Sequence, residues 1–386
     1  MSQKIKVNPE WLIWSRKTLN YDVNTASKRL KIKETTLYEW ECDGVLTYKN
    51  LNKLANLYDV SPLLFLNNTP PPKIEQYVKD YRTMNDKYFA SNPEILKKIK
   101  HAKRKRRLLL NLASTLNKDL TFKYYQEDVP SKDTIISIIK ESLGFNAVKL
   151  NNYSVDDWIR EFESLNILIF RFYNINKEDV KGYAFNNKEL PIIGINNRDS
   201  DKEKIFSLFN EYVHLLIGKD GISGDYNKQK EEEFCNSVSS EILLPENEIR
   251  NIKISNINSI IRILSTRYNV SMENLLYRLR NLDYLTEEEL EAQLIKRVYT
   301  PEEENTLTSE DEDGSSSVKV VKHKSNSQRK LKSMASRNLH QNGHLYTGLL
   351  LEAYEEDLIS DIDLSNELGV PHNVIPYLIN KLNGGL

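Results

Sequence analysis

Hydrophobic residues between positions 8 and 67 recur at helical spacing and predict five short helices. The predicted helices are PEWLIWSRKTL, VNTASKRLKI, KETTLYEWEC, YKNLNKLANLY and SPLLFLN. Asn8-Pro9 and Ser61-Pro62 each combine a capping side chain with a proline at the first helical position. Two of these helices meet at a tight turn near Ile32, which is typical of a helix-turn-helix. The shared core would contain Leu30, Ile32, Leu37, Trp40, Leu51, Leu54, Ala55 and Leu57.

A proline-rich segment, NNTPPPK, follows this module and predicts a stiff linker at 69–75. Beyond it, apolar residues at helical spacing predict a long amphipathic helix at about 92–117. Eight Lys/Arg residues and no acidic residue fall within 97–107 of this helix. We interpret the basic run as a solvated helix face, and a phosphate-binding patch is the alternative.

Strand patterns cluster between residues 165 and 196. LNILIFRFY is rich in β-branched and aromatic residues, and VKGYAFN and LPIIGIN flank a polar NNKE turn. These segments predict a small antiparallel sheet with a hairpin. Helical patterns resume at Asp201 and continue to about residue 280. Because PIIGIN directly precedes these helices, we hypothesise that this strand accepts an extended peptide by β-addition.

Charge is segregated near the C-terminal end of the chain. Residues 301–317 carry seven acidic residues and no basic one, whereas 319–332 carry six Lys/Arg and no acidic residue. Such charge blocks without apolar periodicity predict a disordered linker at 297–335. Helical periodicity then returns and predicts a small helical module at 336–386.

The composition is that of an ordinary soluble protein, with 39% hydrophobic and 28% charged residues. A length of 386 residues indicates two or three domains. The two cysteines, Cys42 and Cys235, fall in different predicted domains, which favours a reducing compartment over a disulfide framework. Because the sequence has neither an apolar signal region nor a run of ~18 apolar residues, we expect a cytoplasmic protein.

The segment FSLFNEYVHLLIG, residues 206–218, carries the candidate chemistry. Two histidines at positions i and i+4 of a helix lie on one face and can chelate one zinc ion. A glutamate at i+1 then lies beside the metal, where it can deprotonate bound water. Here Glu211 and His214 stand in register with that pattern, but Asn210 occupies the first histidine position.

A third metal ligand is expected from a following helix. The segment EEEFCNSVSSEILLP, residues 231–245, begins with three glutamates and ends at Pro245. Spacing alone leaves the choice among Glu231, Glu232 and Glu233 open.

These two segments resemble the motifs of the ImmA/IrrE metallopeptidases, F-x-L-x-H-E-x-x-H-x-x-L and E-x-x-C-N-x-x-A-x-x-x-L-x-P. The positions of the first motif hold Phe206, Leu208, Asn210, Glu211, His214 and Ile217. Those of the second hold Glu232, Cys235, Asn236, Ser239, Leu243 and Pro245. The resemblance implies Glu211 as the general base, with His214 and Glu232 as zinc ligands.

Flanking segments extend the resemblance over roughly residues 8–285. An N-terminal helix-turn-helix of the XRE type is similar to that of the long members of the family. The other matching segments are Asp80-Tyr81-Arg82-Thr83, the hairpin VKGYAFNNKELPIIGIN and the downstream stretch YNVSMENLLYRLRNLDYLT.

The resemblance implies an α+β protein whose central domain is zincin-like. The predicted parts are an all-α helix-turn-helix module at 1–68, a linker at 69–75, a peptidase-like domain at 76–296, a charged linker at 297–335 and a helical module at 336–386. It also implies a zinc cofactor and a role in bacterial or mobile-element regulation. There, the peptidase cleaves a partner helix-turn-helix repressor to release transcription, or acts as the toxin of a toxin–antitoxin pair.

Asn210 departs from the family pattern at a zinc ligand. A neutral amide oxygen is a far poorer zinc ligand than an imidazole. Three interpretations remain open. Asn210 could ligate weakly through its side-chain oxygen, in a site for a harder metal or one filled only with substrate. The protein could instead be a non-catalytic DNA- or protein-binding regulator, or the histidine could have been replaced in this particular chain.

The second helix of the predicted helix-turn-helix offers candidate DNA contacts at Lys33, Thr35, Thr36 and Tyr38. Residues 1–70 hold ten Lys/Arg and seven Asp/Glu, a mild net positive charge. Acidic residues on the same helix, namely Glu34, Glu39 and Glu41, would repel phosphates, so a protein-binding module is the alternative.

A second pair of histidines, His340 and His344, is also spaced by four residues. Gly343 between them weakens a helix, and no Cys or Glu cluster follows to complete a site. We interpret HQNGH as a solvated loop.

Overall fold

The computed structural model describes residues 4–72, 92–125, 130–176, 180–218, 225–250, 257–268, 270–299 and 322–383. These residues form two compact units, one mainly before Lys105 and the other mainly from Lys105 onward. The family-like segment at 80–83 lies outside the described residues. Among the described helices, none combines the length and apolar composition that a membrane crossing requires.

The first unit consists of short helices and a two-stranded ribbon. Its elements are β1 (Lys4–Lys6), α1 (Pro9–Thr18), α2 (Val23–Leu30), α3 (Glu34–Asp43), β2 (Val45–Thr47), α4 (Tyr48–Tyr58) and a 3-10 helix (Pro62–Leu66). Asn8 and Ser61 cap their helices by accepting the backbone N–H groups of Glu10 and Leu63. The five predicted helices are confirmed, the last of them as a 3-10 helix.

The prediction that this module is entirely helical is wrong, because β1 and β2 pair antiparallel with Ile5 opposite Leu46. Gly44 ends α3 at a φ of 64° and turns the chain into β2. A Cβ atom at Gly44 would lie 2.3 Å from the backbone oxygen of Val7, so only glycine fits. Strands of three residues are too short to show an alternating pattern in the sequence.

The turn between α2 and α3 joins two short packed helices, as predicted. Asp22 caps α2 by accepting the N–H of Thr25, and Lys31 ends that helix in the left-handed conformation. Of the predicted core residues, Leu30, Leu37, Trp40, Leu51, Leu54 and Ala55 are buried, and Ile32 and Leu57 are partly buried. The apolar residues at helical spacing therefore pack together in one shared core.

The basic run lies on α5 (Pro93–Leu116), close to its predicted bounds. Within the first unit, Lys100 donates to the backbone oxygen of Asp59 at 2.6 Å and His101 pairs with the Asp59 carboxylate at 2.7 Å. Within the second unit, Arg106 donates to the backbone oxygen of Glu189 at 2.7 Å. Part of the run therefore has partners inside the protein, which argues against a continuous phosphate-binding patch.

The second unit holds a three-stranded sheet and most of the helices described. Before and within the sheet lie α6 (Lys132–Ser142), α7 (Ala147–Asn152), α8 (Val155–Glu163), β3 (Leu168–Phe172), β4 (Gly182–Phe185) and β5 (Ile192–Asn196). After it come α9 (Asp201–Ile217), α10 (Asp225–Leu243), α11 (Glu246–Arg250), α12 (Ile257–Arg267), α13 (Met272–Asn281) and α14 (Glu287–Tyr299). The α+β class predicted from the sequence is confirmed.

The sheet is mixed, which corrects the prediction of an antiparallel one. Its strand order is β3-β5-β4. The predicted hairpin is present, with Gly182 opposite Ile195, but β3 joins β5 in parallel, with Leu168 opposite Ile192. The chain leaves β3, forms β4 at the far edge and returns through the middle as β5. Because β5 is paired on both sides, the hypothesis that PIIGIN accepts a peptide strand is wrong.

The C-terminal helices belong to the second unit. They are α15 (Lys322–Asn342), α16 (His344–Glu355), α17 (Asp361–Leu368), a 3-10 helix (His372–Val374) and α18 (Ile375–Leu382). The predicted disorder at 297–335 is wrong for 297–299 and 322–335, which are helical, and 300–321 lie outside the described residues. Ala335 and Leu339 are buried on α15, which contacts β3. These apolar positions are few among many charges, so no periodicity was evident.

His340 and His344 lie on helices and make contacts inside the second unit, so the interpretation of HQNGH as a solvated loop is wrong. His340 Nδ1 lies 2.9 Å from the Tyr173 hydroxyl. His344 begins α16, where its backbone N–H donates to the buried Glu163 carboxylate at 3.1 Å. Leu345 donates to the same carboxylate at 3.2 Å. Glu163 thus caps α16 and attaches the C-terminal helices to α8.

Glu163 should make stability depend on pH. Burial raises its pKa to about 8, although the N–H groups of Leu345 and His344 act in the opposite direction. An unfolded glutamate has a pKa of about 4.3, so the folded chain binds the extra proton between these two values. The stabilisation is present below about pH 4 and is lost as the pH rises through about 8.

We therefore expect Glu163→Gln, which keeps an acceptor oxygen without the charge, to leave stability near pH 4.5 little changed. At pH 8.5 the variant should be more stable than the wild type by roughly 5 kcal/mol, because a shift of almost four pKa units corresponds to about 1.4 kcal/mol per unit. Urea unfolding followed by circular dichroism at both pH values measures the difference. Parallel pH profiles for the two proteins would contradict this role of Glu163.

Candidate functional site

Helix α9 carries the candidate residues into the core of the second unit. Ser200 begins it with a capping box, in which the Ser200 and Glu203 side chains each accept the other residue's backbone N–H. Gly218 ends it in the left-handed conformation, at a φ of 65°. Buried apolar side chains occur on most of its surface. The helix is therefore held rigidly on the sheet, a good support for precisely oriented side chains.

Glu211 lies against the edge strand β4 and is only 9% exposed. A Cβ atom at Gly182 would lie 2.6 Å from Glu211 Oε1, so the carboxyl group occupies the space that a side chain there would need. Burial raises the pKa of Glu211 to about 8, with a smaller opposing effect of His214. Glu211 is thus a desolvated carboxyl group directly beside a strand, a typical environment for a general base.

His214 is contacted by two consecutive glutamates of α10. Glu232 Oε1 lies 3.2 Å from Nε2 of the ring, and Glu231 Oε1 lies 3.2 Å from Nδ1. Cys235 Sγ is 3.6 Å from Nδ1. Glu233 is exposed. The structure brings Glu231 and Glu232 to different nitrogens of the His214 ring, and Glu232 as the third metal ligand stays a prediction.

These neighbours also set the charge of the ring. Burial disfavours the charged form of His214, but Cys235, Glu231 and Glu232 outweigh burial and raise its pKa well above the ordinary value. The ring therefore lies in a strongly cation-favouring environment. The same environment attracts a metal ion, since neutral imidazole beside carboxylates is a common ligand arrangement.

Asn210 lies on α9 one turn before His214, on the same helix face. Its side-chain oxygen is buried and has no hydrogen-bond partner among the described residues. In that same part of the chain, no three His, Cys, Asp or Glu side chains form a group that could hold a metal ion.

Two of the predicted donor atoms nevertheless lie close together. Zinc ligands lie about 2.0–2.1 Å from the metal, so two of them in a tetrahedral site are about 3.3 Å apart. The 3.2 Å between His214 Nε2 and Glu232 Oε1 matches that separation. The buried Asn210 oxygen is an acceptor that a cation would satisfy. Zinc accepts a neutral amide oxygen poorly, whereas ions such as Mn²⁺ readily take oxygen donors, so zinc should bind weakly.

Helix α10 is anchored at its far end by a buried ion pair. Arg278 of α13 is 5% exposed and donates to the Glu241 carboxylate of α10. Lys132 of α6 donates to the Ser237 hydroxyl at 2.7 Å. Both contacts fix the helix that presents Glu231 and Glu232. In the sequence, Arg278 stands out only as part of a family-like stretch, and no sequence signal identifies Gly182.

The structure thus places a glutamate and a histidine of one buried helix opposite glutamates of a second helix, beside a mixed sheet. Residues 162–280 match the family model of the IrrE N-terminal-like domain, Peptidase_M78. The match extends from the end of α8 to α13 and includes the sheet and both site helices. The match supports an ImmA/IrrE-family metallopeptidase-type domain in this part of the chain, as its motifs predicted. A comparison with curated proteins finds no match.

The candidate DNA contacts all lie near the start of α3 in the first unit. Lys33 is its N-cap residue, and Thr35 and Tyr38 are exposed, Tyr38 to 64%. Thr36 is half-buried. Glu39 is exposed on the same helix. The residues thus share an accessible surface that also carries negative charge, and DNA binding stays a prediction.

Proposed function

We propose that this chain is a metallopeptidase-type regulator that binds an extended segment of a partner helix-turn-helix repressor. Hydrolysis of the bound segment depends on a divalent metal that the site holds weakly. The observation that carries the proposal is the convergence of Glu232 on His214 beside Glu211, with the buried oxygen of Asn210 one turn away. Cleavage of the partner repressor would release transcription. In a toxin–antitoxin pair, this chain would act as the toxin.

The chain's own residues have distinct parts in such a reaction. Asn210, His214 and Glu232 would hold the metal, which when bound supplies Lewis-acid polarisation of the scissile carbonyl. Glu211 accepts the proton of the attacking water at its carboxylate and passes it to the leaving amine. Gly182 leaves room for the carboxyl group beside the substrate strand.

The bound segment pairs with the open edge of β4 as an additional strand. Among the described residues, β4 pairs with β5 alone. The Asn196 N–H donates to the Lys181 oxygen, which places Tyr183 in the hydrogen-bonded register with β5. The backbone groups of Gly182 and Ala184 consequently point outward, where an extended peptide can pair with them. This edge replaces PIIGIN as the proposed docking strand.

Ala184→Pro should weaken binding of the extended segment about tenfold, because proline removes one outward N–H donor. Proline is tolerated on edge strands, so the sheet should survive. Fluorescence anisotropy with a labelled peptide that the protein binds gives the affinity, and Ala184→Val, which keeps the donor, is the matched control. Equal affinities of the two variants would contradict docking on β4.

Cleavage itself is tested with the full-length protein and a library of proteome-derived peptides, with new N-termini read by mass spectrometry. In the presence of Mn²⁺, we expect slow cutting by the wild type and none by Glu211→Gln. Cutting by both proteins would overturn the assignment of the base. No cutting by the wild type under any divalent metal would overturn the hydrolytic part of the proposal.

The second candidate function is non-catalytic partner or DNA binding, and Asn210 is the observation that favours it. A shift of DNA mobility that weakens with salt and disappears in Lys33→Ala would support the first unit as a reader. Retained partner binding without cleavage would instead support a protein-binding regulator. Only the second result assigns the metallopeptidase scaffold to recognition alone.

A further inference from the structure

The last two α-helices of the second unit form a helix-turn-helix of their own. Ser360 begins α17 with a capping box, and Gly369 ends that helix in the left-handed conformation, at a φ of 68°. A short turn and a 3-10 helix then lead into α18. Two short helices joined by a tight turn that contains glycine are typical of this motif. The apolar side chains that it buries are Leu364, Leu368, Val370, Val374, Ile375 and Leu378.

Helix α15 packs against this motif and is fixed to its turn. It contacts both the 3-10 helix and α18. Asn338 of α15 is buried, and its side chain donates to the backbone oxygen of Leu368 at 2.5 Å. Because Leu368 is the last residue of α17, this hydrogen bond joins α15 to the point where the motif turns. The three helices α15, α17 and α18 therefore form one packed group.

Positive charge in this group is concentrated on α15. Residues 322–342 contain six Lys/Arg and no Asp/Glu, and α18 contains Lys381 and no acidic residue. Lys330 and Arg337 are exposed and lie two turns apart, so they share one stripe of the helix, on the side away from the buried Ala335. Like charges on one helix repel, and α15 has no acidic residue that would offset the repulsion. The stripe therefore attracts anions.

Acidic side chains of the neighbouring helices α16 and α17 have partners of their own. Asp363 accepts the hydroxyl and the backbone N–H of Ser360 in the capping box of α17. Glu352 of α16 pairs with Lys118 at 2.8 Å. These carboxylates are thus engaged within the second unit, and the positive charge of α15 stays available to a ligand.

We propose that the stripe of α15 with Lys330 and Arg337 binds the phosphate backbone of duplex DNA, beside the helix-turn-helix of α17 and α18. In such motifs the second helix enters the major groove while nearby cations contact phosphates. Lys330 and Arg337 are about 10 Å apart along the helix axis, and the phosphates of one strand follow every 3.4 Å or so along the duplex, so the stripe spans about three phosphate steps. The motif beside the stripe favours duplex DNA over an acidic peptide. This site needs no metal, and it belongs to the second unit, whereas Lys33 belongs to the first.

Fluorescence anisotropy tests the site with full-length protein and a labelled duplex of mixed sequence, over a series of salt concentrations and with a chelator present. All proteins carry Lys33→Ala, which removes a candidate contact of the first unit. We expect the double variant Lys330→Ala, Arg337→Ala to reduce the steepness of log affinity against log salt by about two, because each phosphate contact contributes about 0.9. The matched control Lys140→Ala, Lys188→Ala removes two exposed lysines of the same unit and should leave the steepness unchanged.

Equal salt dependence of the two double variants would overturn the proposal. Loss of all DNA binding in Lys33→Ala alone would also overturn it, since the first unit would then make every contact. A polyglutamate peptide that displaces the labelled duplex as well as unlabelled duplex does would show that the stripe accepts acidic protein segments instead. Unchanged thermal unfolding of Lys330→Ala, Arg337→Ala excludes misfolding. Metal binding and peptide cleavage should be the same in all these variants, which separates this site from the proposed peptidase function.

Discussion

Asn210→His should raise the affinity of this protein for zinc by at least about 10–100-fold. Loss of an outer hydrogen-bond partner alone changes metal affinity by that factor, and a ligand should matter more. The other predicted site residues already lie close together. His214 Nε2 is 3.2 Å from Glu232 Oε1, and Glu211 lies on the same helix as His214. The imidazole at 210 would lie one turn from His214 on the same face of α9, about 6 Å away between Cβ atoms.

Metal content after dialysis, with chelator competition for the affinity, measures this effect. Asn210→Asp is a useful comparison, since an anionic oxygen is a better zinc ligand than an amide, and it should fall between the two proteins. We also expect Asn210→His to cut peptides faster than the wild type, with Glu211→Gln in the same background inactive. Equal zinc binding by wild type and variant would show that Asn210 is not a damaging replacement. No zinc in either protein would exclude the metallopeptidase interpretation.

Glu41→Ala should destabilise the first unit by about 3–5 kcal/mol, the second large effect. Glu41 and Arg16 are both nearly fully buried, at 7% and 8% exposure. They form a bidentate pair, with Nε to Oε1 at 2.6 Å and Nη2 to Oε2 at 2.8 Å. Removing the carboxylate leaves a buried guanidinium whose other bond, to the backbone oxygen of Tyr21, cannot neutralise it.

Urea unfolding of the full chain, followed by tryptophan fluorescence, reports mainly on this unit, because three of the four tryptophans lie in it. Glu39→Ala on the same helix is the matched control, since Glu39 is exposed, and it should change stability by less than about 0.5 kcal/mol. The double variant Arg16→Met, Glu41→Leu should recover much of the loss, because an apolar pair of similar volume has no charge to desolvate. Similar losses in Glu41→Ala and Glu39→Ala would contradict the role of the buried pair.

The site could be located from the sequence because its chemistry is local. Glu211 and His214 are three residues apart on one helix, so helical geometry alone places them together. The third ligand was narrowed to a cluster of three glutamates and then to Glu232 by family resemblance. The contacts of these glutamates with His214 could not be predicted, because His214 lies on another helix. Glu231 could not be distinguished from its neighbours, since the partner of each glutamate depends on how α9 and α10 pack.

The sheet shows the same division. Alternation and the NNKE turn predicted the hairpin of β4 and β5, because a hairpin joins strands that are adjacent in the chain. The pairing of β3 with β5 was not predictable, since it joins strands separated by another strand. That pairing puts β5 in the centre of the sheet and β4 at its edge. The proposed docking strand is therefore β4 and not β5. Likewise, the attachment of α16 to Glu163 joins residues 181 positions apart.

The candidate site residues, the helices that carry them and the one position that departs from the family pattern could all be predicted from the sequence. These predictions depend on periodicity and short spacing, which act over a few residues. The structure was needed to show which glutamate faces which nitrogen of His214, that Gly182 leaves room for Glu211, and that β4 is an edge strand among the described residues. Such properties depend on contacts between segments far apart in the chain, and those contacts arise from packing a shared core that no local pattern encodes.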